Sequence, residues 1–398
     1  MSEEFRSLVV IAAIAAFVPL VVGLFRIKVA EVVLLLGAGV IFGPEVIGWI
    51  QVDDSIQLLS ELGLGMLFFV AGMELAPKAV RGLSGRLAGA GWGFSLALAA
   101  LFAFILTVTG VISDTLGVAI ALTSTALGTL LPILRDSKEL DTPFGTLFMG
   151  AGAWGEFGPI IAISLLLGSE SRFVAIFTLV AFGAVALILA IVPTKLASER
   201  VKVILEAGHH SSSQTAVRLT MLLLIVLLAL AGSFGLDVVL GAFIAGIIVR
   251  RLAPPSEESR LTVRVEAIAF GFFIPLFFIV SGANLDIESI IENPGRLLIF
   301  FVLLLVVRGV PQFFLYRRAI PHPRQRARFS LLVATGLPII VAVTSLEVAS
   351  GIMRAENAAA LIGAGALSVL VFPLVGGWLV RGRDVGEVVL QERAENTV

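Results

Sequence analysis

The stretch that decides the reading of this chain is Thr146–Leu167, TLFMGAGAWGEFGPIIAISLLL, in which Glu156 is the one ionisable residue. A charge at the middle of a membrane span costs about 2.5–3.5 kcal/mol on insertion scales. A carboxylate held there must be paired, protonated or bound to a cation, which makes Glu156 the first candidate for function.

Composition fixes the setting of that run. The chain has 398 residues, of which 58% are hydrophobic and 14% charged, and its mean hydropathy is +1.05. Soluble domains carry about 25% charged residues, so the expected class is an all-α polytopic membrane protein whose surrounding medium is the lipid bilayer. There is no cysteine, which excludes disulfides and Cys-based metal or redox sites. His209 and His210 lie beside three serines and His322 lies between two prolines, unlike ligands buried in a core. No cofactor, resident metal, nucleic-acid partner or enzymatic activity is expected.

A transmembrane helix needs about 20 mostly apolar residues. Apolar blocks between charged loops give thirteen spans, at roughly 8–25, 29–48, 56–75, 87–109, 113–134, 143–167, 172–193, 216–232, 236–250, 265–281, 294–316, 328–351 and 357–380. The first begins with Glu3 and Glu4 and lacks a basic n-region, so it reads as a retained helix and not a signal peptide. Alternate loops hold 23 of the 28 basic residues, against Arg6, Arg172, Arg296 and Arg354 on the other side. Basic loops face the cytoplasm. The expected topology is therefore an outside N-terminus, a cytoplasmic C-terminus and a multi-pass protein of the cell membrane. The polar loop at about 194–215 divides the spans into two groups, and a short polar tail follows the last one.

Arg308 is the second charge deep in a span, in LLIFFVLLLVVRGVPQFFL, with Pro311 three residues on. An isolated intramembrane Arg is costly, so Glu156 and Arg308 are expected to pair or to share one polar cavity. The competing reading lets Arg308 snorkel toward Tyr316 and Arg317. Two spans carry helix-breaking chemistry in their middles. One holds Thr123, Ser124, Thr125 and Gly128 and then Pro132; the other holds Thr335, Gly336 and Pro338 and then Thr344 and Ser345. Matching breaks in two halves of a chain point to the ion site of inverted-repeat transporters, although small residues also serve close helix packing. Glu31, Glu61, Glu74 and Glu266 lie near span ends, where headgroup solvation accounts for them. Glu347 lies late in its span and Asp237 begins one; both are set aside as weaker candidates. The Gly/Phe-rich runs at 63–72 and 272–282 read as packing helices.

Four segments carry a resemblance: LSELGLGMLFFVAGMEL at 59–75, LGAFIAGIIV at 240–249, FFIPLFFIVSGANLD at 272–286, and TSTALGTLLPILRD at 123–136 followed by TPFGTLFMGAGAWGE. In this order they resemble the monovalent cation:proton antiporter-2 family, the Kef-type and related sodium/proton antiporters, over nearly the whole chain. The resemblance implies two inverted repeats with two crossing discontinuous helices and a homodimer. It assigns residues 1–85 and 216–285 to dimerisation and scaffold helices, and 86–170 and 290–380 to an ion-binding core. It leaves 172–215 as a linker helix and cytoplasmic loop and 381–398 as a cytoplasmic tail. It puts Glu156 where members have the ion- and proton-carrying aspartate, with Thr123, Ser124 and Thr125 on the same site. Arg308 takes the place of its basic partner, and Gly128, Gly336 and Pro338 fall at the breaks. The chain departs from the pattern in two ways: Glu replaces Asp, and Gly155 stands where members have Asp, Asn or Gln.

The expected function is exchange of a monovalent cation, Na⁺ or K⁺, for H⁺ by alternating access. With one membrane carboxylate the exchange would be electroneutral. The alternatives are a channel-like or non-transporting protein of the same fold, with Glu156 and Arg308 as a structural pair, and an organic-solute carrier, for which Trp154 is the relevant feature.

Overall fold

Apolar runs of span length fold as helices along the chain, because only a helix satisfies every backbone group within its own segment in lipid. The computed structural model describes residues 3–25, 30–74, 82–140, 142–166, 214–234, 238–252 and 258–380, with 180–185 and a few single positions. All regular structure among them is helical. The helices are α1 Glu3–Phe25, α2 Glu31–Phe42, α3 Asp54–Glu74, α4 Gly82–Val108, α5 Thr115–Leu122, α6 Leu127–Asp136 and α7 Pro143–Leu166. They continue as α8 Thr215–Ser233, α9 Val238–Leu252, α10 Glu258–Ile268, α11 Ile274–Ala283, α12 Ile287–Glu292 and α13 Pro294–Leu303. The last four are α14 Val310–Leu315, α15 Pro323–Val333, α16 Pro338–Ala349 and α17 Ala355–Val380.

Nine described helical segments are long and apolar enough to cross a membrane, and Glu31–Phe42 and Thr115–Leu131 are shorter apolar ones. With α9, a helix occupies every expected span except 172–193, which lies almost wholly outside the described residues, as do the 194–213 loop and the 381–398 tail. Some ends differ from expectation. The second span stops at Phe42 instead of 48, because Gly43 leaves the helical region and Pro44 follows. Two spans contain one π-helical turn each: Ala269–Phe273 joins α10 to α11, and Leu304–Gly309 joins α13 to α14.

The chain divides into two compact units. The first comprises residues 1–76 and 160–285. Here α3 packs on α9 and α11, and α2 on α11. The Gly/Phe-rich runs explain how closely: a β-carbon at Gly72 would overlap the Phe243 carbonyl, and one at Gly246 would overlap the Phe69 carbonyl. Glycines let two apolar helices come within backbone contact, the usual source of packing energy in a bilayer.

The second unit comprises residues 77–159 and 286–398. Within it the order long helix, interrupted helix, long helix occurs twice: α4, α5–α6, α7, and then α13–α14, α15–α16, α17. Among the described spans Pro323–Ala349, the interrupted one, is the most enclosed: 83% of its apolar window is buried, against 17% for Phe5–Leu24. An apolar core clamps its first half. Phe329 of α15 meets Phe144 and Phe148 edge-on and lies 4.5 Å from the Tyr316 ring, with Leu130, Leu134 and Leu332 packed around it.

Candidate functional site

The two interruptions arise differently. In α15–α16 the cause is local: Pro338 lacks an N–H and disfavours helical geometry at the residue before it, and Leu337 sits at φ −146°, ψ −54°. In α5–α6 no proline stands at the break; Pro132 lies inside α6. There the backbone leaves the helix to bond elsewhere. The Thr125 N–H donates to the Gly155 carbonyl of α7 (3.1 Å), and the Ala126 N–H donates to the Thr335 carbonyl of the other break (2.7 Å). The Thr125 hydroxyl donates to the Val333 carbonyl at the end of α15 (2.7 Å). Ser368 of α17 completes the second break: its hydroxyl accepts from the Gly336 N–H and lies 3.2 Å from the Gly336 carbonyl.

The breaks therefore touch, and four half-helix ends gather around them. The N-termini of α6 and α16 bring positive dipole ends, and the C-termini of α5 and α15 bring negative ones. Glu156 enters from α7, and its Oε1 accepts from the Gly128 N–H in the first turn of α6 at 3.4 Å. The carboxylate is half-buried. Gly128 thus lies not in the break itself but at the head of the half-helix after it.

Arg308 is wholly buried and does not snorkel. The π-helical turn that carries it adds a residue to the helix at that point, a distortion often found at functional sites. Its Nε donates to the Thr125 hydroxyl (3.1 Å) and its Nη2 to the Ala151 carbonyl of α7 (2.8 Å). Nη1 has no protein partner. Both bonds of the guanidinium thus go to the frame of the site and neither to Glu156.

The three hydroxyls at the first break divide their work. Thr123 Oγ1 donates back to the Ile120 carbonyl (2.8 Å), which closes the end of α5. Thr125 Oγ1 is committed to Val333 and Arg308. Ser124 Oγ is buried without a hydrogen-bond partner among the described residues, and it faces Gly336, where a β-carbon would lie 2.6 Å from it. Trp154 stacks against Trp92 of α4 with ring centroids 6.2 Å apart, so its ring is occupied in packing.

Sequence reasoning missed four residues that take part and set a fifth aside. Ser368 is a single serine in an apolar helix, and its only signal is that isolation. Gln312 is fully buried on α14 against Gly91. Glu139 and Arg328 form an ion pair at 2.7 Å that ties the segment after α6 to α15. Glu347, set aside as a weaker candidate late in its span, is only 2% exposed.

An all-helical membrane unit with two interrupted helices meeting at a carboxylate defines a class of ion-coupled carriers. Residues 11–382 match the family described as sodium/hydrogen exchanger, transmembrane, and the chain belongs to that family. Among curated relatives, YjbQ of Bacillus subtilis (strain 168), whose name marks it a candidate Na(+)/H(+) antiporter, is 24% identical over 92% of this chain and 62% of its own length. The glutathione-regulated potassium-efflux system protein KefC of Escherichia coli O157:H7 is 26% identical over 93% of this chain and 59% of its own length. The chain thus spans about three fifths of these relatives. The sodium proton antiporter MjNhaP1 from Methanocaldococcus jannaschii at pH 8 shares the fold, with a TM-score of 0.63 over 95% of this chain and 98% of that one, at 16% identity.

Proposed function

We propose that this protein is a secondary transporter that exchanges a monovalent cation, Na⁺ or K⁺, for H⁺ by alternating access, with Glu156 as the carrier carboxylate. The observation that carries the reading is the place of Glu156: on α7, against the first turn of α6, where both interrupted helices meet. A carboxylate there gains from the half-helix dipole and from free backbone groups, the arrangement by which discontinuous helices hold ions. The names of YjbQ, KefC and MjNhaP1 support the substrate class.

In this mechanism Glu156 carries either one proton or one cation per crossing. Ser124 supplies a free hydroxyl at the break. Arg308 holds Thr125 and the α7 backbone in place, and its uncommitted Nη1 is the group that pairs with the carboxylate when neither proton nor cation is bound. One carboxylate exchanging one charge for one charge makes transport electroneutral. It then gains nothing from the membrane potential, worth about 2.3 kcal/mol per charge per 100 mV. Alternating access carries the site from one face of the membrane to the other, two copies of the chain pair as a homodimer, and the protein resides in the cell membrane with its C-terminus cytoplasmic.

The test is proton flux in proteoliposomes loaded with a pH dye. Imposed Na⁺ or K⁺ gradients move protons in the wild type and cease to do so in Glu156→Gln. Exchange that persists in Glu156→Gln, or that collapses when a potential is clamped across the membrane, contradicts the mechanism.

A further inference from the structure

The interrupted helices meet a second time, where α5 begins and α16 finishes. Asp114 caps α5: its Oδ1 accepts from the Leu116 and Gly117 N–H groups at 3.1 Å each. Glu347 lies two residues before the end of α16. Asp114 is 7% exposed and Glu347 is 2% exposed. A β-carbon at Gly117 would overlap both Glu347 Oε2 and Asp114 Oδ2, so the two oxygens converge over a residue with no side chain. The two carboxyl groups therefore face each other across the Gly117 backbone. Yet among the described residues no donor reaches Asp114 Oδ2 or either oxygen of Glu347.

The charges on neighbouring elements do not supply one. α5 packs on α4, α16 and the π-helical turn, and α16 packs on α5 and α17. Arg308 on the π-helical turn is bonded to Thr125 and Ala151. Arg86 lies toward the opposite end of α4 and is exposed. Arg354 and Glu356, at the start of α17, are exposed, and Glu356 is tied to Arg296 at 2.8 Å. Thr107 and Thr115 bond each other at 2.6 Å. Two buried carboxylates in contact repel without screening, and such pairs resolve the conflict by sharing one proton. The opposite ends of the same helices show the contrast. There Glu139 meets Arg328, an acid with a base, and no proton is needed.

We propose that Asp114 and Glu347 form a second proton site, whose one shared proton latches the start of α5 to the end of α16. One carboxyl group donates its O–H to the other. When the two helix ends part, the proton passes to water at that face and leaves two carboxylates that repel until one is reprotonated. Protons on that side of the membrane thereby favour the closed state. Only the flux measurement below rests on the transport reading.

The decisive measurement is infrared difference spectroscopy of the purified full-length protein as pH is raised. The wild type shows a protonated-carboxyl C=O band that is retained in Glu156→Gln and lost in Glu347→Gln, whose carboxamide donates to Asp114 in place of the proton. Asp114→Asn keeps the Oδ1 acceptor of the cap and loses the same band, so it reports on the pair if Glu347→Gln does not assemble. In proteoliposomes, Glu347→Gln flattens the dependence of exchange on the pH of the Asp114 side, where a merely structural loss would lower the rate equally at every pH. The proposal is overturned if both pair variants keep the wild-type carboxyl spectrum, or if the pH profile of Glu347→Gln keeps its shape. A wild type without flux would sink the transport reading and leave the spectroscopic result to decide the proton site.

Discussion

The guanidinium of Arg308 occupies the space that a side chain at position 155 would need: a β-carbon on Gly155 would lie 2.7 Å from Arg308 Nη2 and overlap Thr125 Oγ1. The missing side chain is therefore what admits the Thr125 side chain together with the arginine. Position 155, where the resembled family carries an Asp, Asn or Gln, is filled here by Thr125 and by a guanidinium from another helix.

Gly155→Ala follows directly. The added methyl group meets Thr125 and Arg308, neither of which is free to retreat without breaking its bonds to Val333 or Ala151. Overpacking of this kind costs about 1–3 kcal/mol. Unfolding in mixed micelles checks the loss, and an unchanged stability would show that Arg308 is not held where it lies.

Arg308→Lys keeps the charge and loses the fork. A single ammonium on a shorter reach cannot serve Thr125 Oγ1 and the Ala151 carbonyl together. Losing one charged hydrogen bond costs about 1.5–3 kcal/mol. Cation-driven proton flux should fall with it, whereas a residue needed only for its charge would tolerate the change.

Thr125→Val preserves shape and removes the hydroxyl that links Val333 to Arg308. The buried carbonyl and Nε left without partners cost about 1–3 kcal/mol. Thr125→Ser restores the hydroxyl and should recover most of the stability, a comparison that equilibrium unfolding of the three proteins provides.

Ser368→Ala removes both contacts to Gly336 and leaves the second break to its remaining partners. The expected loss is about 1–3 kcal/mol. Amide hydrogen exchange should locate the effect at the Thr335–Leu337 segment, not along α17.

The Glu139–Arg328 pair is suited to a double-mutant cycle with alanine at each position. Coupling of about 0.5–3 kcal/mol is expected for residues in direct contact. A value near zero would mean that the apolar core around Phe329 alone fixes α15 against α6.

Much of this site was legible because lipid makes polar residues conspicuous. Glu156 and Arg308 stood out as charges in apolar runs, and Gly336 with Pro338 marked a break by covalent geometry. The first break was legible only through its hydroxyls, and their separate tasks were not, since Thr123 bonds its own helix while Thr125 bonds residues far along the chain. The π-helical turn under Arg308 leaves no periodic signal, because one inserted residue does not alter an all-apolar pattern. Glu347 was ranked low because it lies late in its span, and nothing in the sequence tells what stands over that end. Here α5 covers that end, and the fact that Asp114 is what covers it belongs to the tertiary fold.

The meeting of the two breaks also dictates an order of events during biosynthesis. The Thr125 hydroxyl and the Val333 carbonyl are separated by 208 residues of chain. At about 5–20 residues per second, the ribosome needs roughly 10–40 s to deliver the second half of that bond. Until then Ala126 and Thr125 lack their partners at Thr335 and Val333. Before its counterpart inserts, the first interrupted helix has only its earlier partners, the Gly155 carbonyl for the Thr125 N–H and the Ile120 carbonyl for the Thr123 hydroxyl. Neither half of the second unit can thus complete these bonds alone, and a chain stalled between them would leave Glu156 beside an unfinished site.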